Sequence, residues 1–376
     1  MKNYLDNIQN TLLLGAGPSG VAPSTYHALG CTTLGHLDPY FIEIMEQIKI
    51  GLRQLMQTEN EVTVPLSGTG SLGMEATFVN IIEPGDKVLI LENGVFGRRM
   101  VDVAGRLGAE VKQLSFPWGT PVVPDVVKDE LQKADYKLVT VVHAETSTGV
   151  RNPVAEIGEL VKDTGALYLI DAVTSLGGIP VELDKWHVDI CYSGTQKCLS
   201  CPPGLAPVSF SERAMEAIHN RTRKVPNWYV DMNLLTQYWG GSKRTYHHTA
   251  PINMVYALYQ AIYNILDEGM ENVFARHQAA HERLAAGLDK LGMSLLVEKE
   301  YRLPELNAIL VPEGVEDAVF RARLLNEHHI EVSSGLGDLA GKVFRVGLMG
   351  YNATDYNVDR LLGAMEAVLK SKKRNT

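Results

Sequence analysis

Lys197 follows an apolar run, Val188-Asp189-Ile190-Cys191-Tyr192, and a polar turn, Ser193-Gly194-Thr195-Gln196, which sets an amine on a tight loop just past a buried strand. A second apolar run, Leu167-Tyr168-Leu169-Ile170, ends in Asp171, twenty-six residues before that lysine. An acid and an amine at matching ends of successive strands suit pyridoxal phosphate (PLP), which needs a lysine to hold its aldehyde and a carboxylate to keep its pyridine nitrogen protonated. Taken singly, Asp171 could cap the turn Ala172-Val173-Thr174-Ser175, and Lys197 could be a solvated loop residue. Their joint placement at the carboxyl ends of neighbouring strands, where open α/β sheets bind ligands, favours a site.

Two further stretches could bind charged groups. Ser67-Gly68-Thr69-Gly70-Ser71-Leu72-Gly73 follows an apolar run and leads into the helical pattern Met74-Glu75-Ala76-Thr77-Phe78-Val79. Backbone N–H groups at such a helix start, with the Thr69 and Ser71 hydroxyls, would cradle a phosphate. The stretch also matches Gly-x-Gly-x-x-Gly, and Glu92 lies about twenty residues on, where a dinucleotide site keeps its ribose-binding acid. An NAD-dependent dehydrogenase using the loop from Gly68 to Gly73 is therefore the competing reading, but it leaves Asp171 and Lys197 without a task. Arg345 stands amid Val343-Phe344-Arg345-Val346-Gly347-Leu348. A guanidinium there is either a bidentate clamp for a substrate carboxylate or a strand residue facing solvent. No metal site is expected. His247-His248 and His328-His329 are adjacent pairs whose rings would point apart on extended chain, and Cys198-x-x-Cys201 has no second cysteine pair.

The elements that must position these residues alternate. Apolar, β-rich runs over residues 62–64, 87–91, 137–142, 167–170, 188–192 and 206–210 are separated mostly by helical patterns, the signature of an α/β fold with a mostly parallel sheet. From Asn253 a long helical stretch runs through Leu291 to Gly292. A smaller α+β unit follows, with strands expected over 307–311, 330–333 and 343–348. Its last helix is expected to start at Thr354 as N-cap and to bury Val358, Leu361, Leu362, Met365, Val368 and Leu369. The basic tail from Lys370 to Thr376 is expected to fray.

Composition narrows the class of partner. Lys and Arg total 35 against 44 Asp and Glu, a formal charge of −9, so the summed field repels nucleic acid. No stretch approaches the roughly 20 apolar residues of a membrane-spanning helix. Four cysteines are too few and too scattered for a disulfide framework. The expectation is a soluble, cytoplasmic protein with neither nucleic-acid nor membrane partners.

Several motifs in order along the chain carry a resemblance: Gly15-Ala16-Gly17-Pro18-Ser19, Ser67 to Glu75, His143-Ala144-Glu145-Thr146-Ser147-Thr148-Gly149, Asp171 through Gly178, Ser193 to Lys197, Tyr246-His247-His248-Thr249 and Gly341 to Gly347. Together they resemble the class V PLP-dependent aminotransferases, in the alanine-glyoxylate / serine-pyruvate branch. The resemblance implies a fold-type I enzyme with an arm over residues 1–20, a large PLP-binding domain over 21–255 and a small C-terminal domain over 256–376. It implies that Lys197 holds the cofactor covalently and that Asp171 pairs with the pyridine nitrogen. Thr69, Gly70, Ser71 and Gln196 would hold the phosphate, joined by Tyr246 and Thr249 from the partner of a homodimer with shared active sites. Thr146 would contact the ring oxygen region, Val173 and Phe96 would pack on the two ring faces, and Arg345 would take the substrate carboxylate. The implied activity is transamination of a small amino acid, alanine or serine, with glyoxylate or pyruvate; relatives that act on ureidoglycine or pyridoxamine are the alternatives. The chain departs from the family pattern at Phe96, where many relatives have tryptophan, and at Ala16 and Gly20, where proline and asparagine are frequent.

Overall fold

Seven strands form the sheet from which the candidate residues project: β1 (Val62–Ser67), β2 (Lys87–Glu92), β3 (Glu110–Ser115), β4 (Leu138–Val142), β5 (Leu167–Asp171), β6 (Ile190–Tyr192) and β7 (Leu205–Phe210). The computed structural model that shows them describes residues 1, 3–240 and 244–372. Across the sheet the order is β1-β7-β6-β5-β4-β2-β3; β7 runs antiparallel to both neighbours and every other pairing is parallel. Strands β4, β5 and β7 are buried along their whole length. A strand covered on both faces reads as an unbroken apolar run, which is why the sequence marks these clearly. Edge strand β3 is not marked, because Glu110, Lys112 and Gln113 face solvent and break the apolar pattern.

Helices α1 (Pro39–Met56), α2 (Gly70–Ile81) and α3 (Val95–Arg106) pack around this sheet. Since α2 follows β1 and α3 follows β2, both begin at the sheet edge where the parallel strands end, and both N-termini face the candidate site. The stretch expected as one long helix is two, α4 (Ile252–Glu268) and α5 (Met270–Lys290). Gly269, at φ +86°, breaks it in a conformation that side chains rarely adopt. The boundary expected between residues 255 and 256 falls inside α4, whose apolar side chains as far as Ile265 belong to the larger core.

A second core lies beneath the antiparallel sheet β8 (Leu306–Leu310), β9 (Ser333–Ser334) and β10 (Val343–Gly347), in the order β8-β10-β9. It joins Phe344, Val346 and Leu348 to Leu284 and Leu288 of α5 and to Val358, Leu361 and Met365 of α6 (Asp355–Lys372). The Asn357 N–H donates to Thr354 Oγ1 at 3.3 Å, the expected N-cap contact. Helix α6 continues through Lys372, past the point where fraying was expected; residues 373–376 lie outside the described residues. The strand expected over 330–333 serves two sheets: Ile330–Glu331 pairs with the N-terminal strand Leu12–Leu13, and Ser333–Ser334 pairs with β10. The N-terminal segment is thus anchored on the C-terminal unit, and Leu14 enters that unit's core.

Where the two units and the N-terminal segment meet, Ala16, Ala144, Ile179, Cys198, Leu303, Leu306 and Met349 form a third apolar cluster. Glu305 is fully buried in the same region, beside Gly178, and neither carboxyl oxygen has a partner among the described residues. Burial pushes its pKa up from 4.5 to about 8. The folded chain then keeps a proton that the unfolded chain releases above pH 4.5, so stability falls as pH rises through that window. Glu305→Gln is expected to melt close to the parent at pH 5 and higher at pH 9, the difference at pH 9 amounting to a few kcal/mol, roughly 1.4 per pKa unit. Melting curves at the two pH values check this; an equal difference at both would contradict it.

Candidate active site

Asp171 ends β5 and Tyr192 ends β6, and the two are partners across the ladder. The Tyr192 hydroxyl donates to Asp171 Oδ2 at 2.7 Å, and the Val173 N–H donates to Oδ1 at 2.7 Å. The carboxylate is therefore locked in one orientation at the carboxyl end of the sheet. Burial pushes its pKa up to about 6, opposed by those two bonds and by the charges of Lys197 and Arg99. At neutral pH it remains mostly ionised.

Lys197 follows β6 on a buried loop, with Nζ donating to the Ala16 carbonyl. The loop is fastened to the N-terminal segment: Ser19 Oγ donates to the Lys197 carbonyl at 2.6 Å, and the Ser19 N–H donates to the Gln196 carbonyl at 2.9 Å. Burial, and next the positive charge of Arg345, pull the amine down to about 8. A sizeable fraction is then neutral near pH 8, the state in which an amine attacks a carbonyl.

Both residues line a cavity of about 170 Å³, together with Gly70, Ser71, Phe96, Thr146, Val173 and Gln196 from the expected set. Helix α2 opens it: Thr69 is the N-cap but its side chain makes no capping bond, and the N–H groups of Gly70 and Ser71 have no intrahelical acceptor. Thr69 itself is exposed and lies outside the lining. Gln196 Oε1 is buried without a partner among the described residues. A helix N-terminus, a free amide, a buried carboxylate and a softened amine around one small cavity fit the phosphate, ring nitrogen and aldehyde of PLP.

Arg345 is buried in β10, where its Nε donates to the Ser334 carbonyl at 2.7 Å and its Nη1 to the Thr146 carbonyl at 3.1 Å. The solvent-facing alternative is thereby excluded. A guanidinium carries five N–H donors, so three remain for a ligand. Tyr246 and Thr249 are exposed, 3.3 Å apart through their hydroxyls, and the structure does not bring them to the cavity of their own chain.

The dinucleotide reading fails on Glu92. Its buried carboxylate accepts from Trp118 Nε1 at 2.8 Å and Gln113 Nε2 at 3.1 Å, and lies 3.3 Å from Arg98 Nε, so it is fully engaged inside the protein. Gly73 packs instead of binding: a Cβ there would approach Ala206 and Tyr192 to 3.2 Å. The rings of His247 and His248 do not point apart as expected; their Nδ1 atoms are 2.8 Å apart, and His248 Nε2 is 2.7 Å from Ser67 Oγ. Among the described residues no group of three or more His, Cys, Asp or Glu side chains could hold a metal ion.

Sequence reasoning missed Tyr192, Arg99 and Met74, which also line the cavity. Tyr192 was legible as the strand-end partner of Asp171. Arg99 lies three residues past Phe96 on α3, hence on the same helix face, with its guanidinium 4.9 Å from the Phe96 ring centre.

This sheet topology and cavity define a PLP-dependent enzyme of fold type I. The family model for aminotransferase class V matches residues 23–361. The chain is 37% identical over 372 residues to the alanine–glyoxylate aminotransferase of Mus musculus, covering 98% of this chain and 90% of the relative. It is 36% identical over 375 residues to the (S)-ureidoglycine–glyoxylate transaminase of Bacillus subtilis (strain 168), covering 95% and 90%. A solved structure of an alanine–glyoxylate aminotransferase from Nostoc sp. superposes with a TM-score of 0.94 at 49% identity, over 98% of this chain and 100% of that one. The chain belongs to the class V aminotransferases, and its cofactor is pyridoxal phosphate.

Proposed function

We propose that this aminotransferase moves the amino group of a small amino acid, alanine first and serine second, to glyoxylate or pyruvate. The observation that carries the size limit is the approach of the N-terminal segment to the lysine. A Cβ at Gly17 would lie 2.8 Å from Lys197 Nζ, so the amine works beneath a backbone lid with little room for a long side chain. The relatives' names support glyoxylate as the acceptor.

When bound, PLP supplies an aldehyde that takes the amino group and a ring that spreads the charge left at the substrate's Cα. In this reading Lys197 would hold the aldehyde, and its amine would serve as the base that takes the proton from the substrate's Cα. Asp171 keeps the ring nitrogen protonated, steadied by Tyr192 and Val173. The N–H groups at the start of α2, with Gln196 and the Ser71 hydroxyl, would hold the phosphate. Phe96, Val173 and Thr146 line the same cavity and would hold the ring between them. Tyr246 and Thr249 reach the cavity of a second copy, which makes the working unit a homodimer. A reducing, cytoplasmic setting agrees with four free cysteines.

The test is a comparison of kcat/KM for L-alanine, L-serine, (S)-ureidoglycine and pyridoxamine against glyoxylate. L-Alanine is expected to lead; a lead for either of the last two would replace the donor assigned here. Arg345→Ala adds a second readout. It is expected to raise KM for alanine by roughly 10–100-fold, the worth of hydrogen bonds to a charged group. Pyridoxamine has no carboxylate, so its KM is expected to stay put. Equal effects on both donors would remove Arg345 from the carboxylate site.

A further inference from the structure

We propose that Glu145 is a positioning residue that ties the aromatic wall of the cavity to the arginine at its substrate side; the inference rests on the functional reading above. Glu145 does not line the cavity. It is fully buried in the short strand Ala144–Glu145, which pairs with Val150–Arg151, and it faces the N-terminus of α3. Its Oε1 accepts from the Ser147 N–H at 3.0 Å and from Ser147 Oγ at 2.6 Å, while Oε2 accepts from the Gly97 N–H at 3.4 Å. Ser147 Oγ in turn accepts from the Val95 N–H at 2.9 Å.

Two of the N–H groups that a helix start leaves unsatisfied are thereby taken by one carboxylate and the hydroxyl it orients. Those two amides flank Phe96. The approach is close enough to dictate the turn into α3: a Cβ at Gly94 would sit 2.4 Å from Glu145 Cδ and 2.5 Å from Ser147 Oγ.

The same bonds fix the opposite side of the site. Thr146 lies between Glu145 and Ser147, its carbonyl accepts from Arg345 Nη1 at 3.1 Å, and its hydroxyl is 2.6 Å from Thr174 Oγ1. Rotation of the 145–147 segment would therefore move the Phe96 wall and the Arg345 acceptor together. Burial lowers the pKa of Arg345 to about 10, and Glu145 in its ionised form opposes that shift; burial raises the pKa of Glu145 itself to about 7.

The test uses Glu145→Ala, Glu145→Gln, Ser147→Ala and the Glu145→Ala/Ser147→Ala double variant. Amide hydrogen exchange at Val95 and Gly97 is measured on the PLP-free protein, and PLP affinity, KM and kcat for alanine on the full chain. In Glu145→Ala both amides are expected to exchange at least roughly 10-fold faster. PLP affinity is expected to fall roughly 10-fold, and KM for alanine to rise by more than kcat falls. Glu145→Gln keeps one acceptor, for Ser147, and turns its NH2 group toward the Gly97 N–H, so it is expected to restore Val95 exchange to within about 3-fold while Gly97 stays fast, and the double variant costs no more than Glu145→Ala alone. Unchanged exchange, or a lower melting temperature with unaltered PLP affinity and KM, overturns the proposal. Should Glu145→Ala fail to fold, Ser147→Ala decides it through Val95 exchange and KM. A parent protein that binds no PLP would refute the functional reading, while exchange in the PLP-free protein would still judge the positioning role.

Discussion

Lys197→Ala is expected to lose the visible band that the lysine-held cofactor gives, and at least roughly 10⁴-fold in turnover. One side chain is assigned two tasks, holding the aldehyde and moving the Cα proton, and positioned proton transfer alone contributes about 10²–10⁴-fold. The substitution leaves the loop intact, because Ser19 binds it through the Lys197 and Gln196 carbonyls and not through the amine. The variant should therefore fold and still bind the cofactor non-covalently. Absorbance spectra and turnover checked side by side test this, and full activity in Lys197→Ala would remove the lysine from the chemistry.

Asp171→Asn is expected to keep the cofactor and lower kcat roughly 10²–10³-fold, the scale seen when one preorganised electrostatic partner is removed. The amide can still accept from the Val173 N–H, and the Tyr192 hydroxyl can turn to accept where it now donates. Geometry is thus preserved while the charge opposite the ring nitrogen is lost. In the cofactor-free protein the raised pKa of about 6 means that Asp171 ionises near neutrality. A protonated ring nitrogen beside the carboxylate would pull that value down, so cofactor binding by the parent is expected to weaken more steeply than that of Asp171→Asn as pH falls through about 6. Parallel pH profiles of cofactor binding in the two proteins would contradict the assignment.

The acid and amine of the site were legible because Asp171 ends one strand buried on both faces and Lys197 follows another on a short loop, and apolar runs mark such strands most clearly. Thr69 sits at the helix start but lies exposed and outside the cavity lining, a placement that nothing in the order of residues specifies. Tyr246 and Thr249 could be assigned a role only through family resemblance, and their own chain leaves them on the surface. Glu145 gave no signal of its kind, because its meaning lies in Gly97, far away in sequence and brought near only by the sheet. Two features of the fold were hidden for other reasons. The charged face of β3 masked its alternation, and the continuous apolar stripe through α4 and α5 outweighed the one glycine that separates them. The pairing of Leu12–Leu13 with Ile330–Glu331 joins residues from opposite ends of the chain, and no local pattern specifies it.

The most direct measurement of the central claim is an absorbance spectrum of the purified protein, repeated after adding L-alanine and then glyoxylate. A visible band is expected that falls with alanine and returns with glyoxylate, since the two half-reactions interconvert the aldehyde and amine forms of the cofactor. A band that does not respond to alanine would contradict the proposed donor, and a protein that shows no visible band even with added PLP would contradict the site itself.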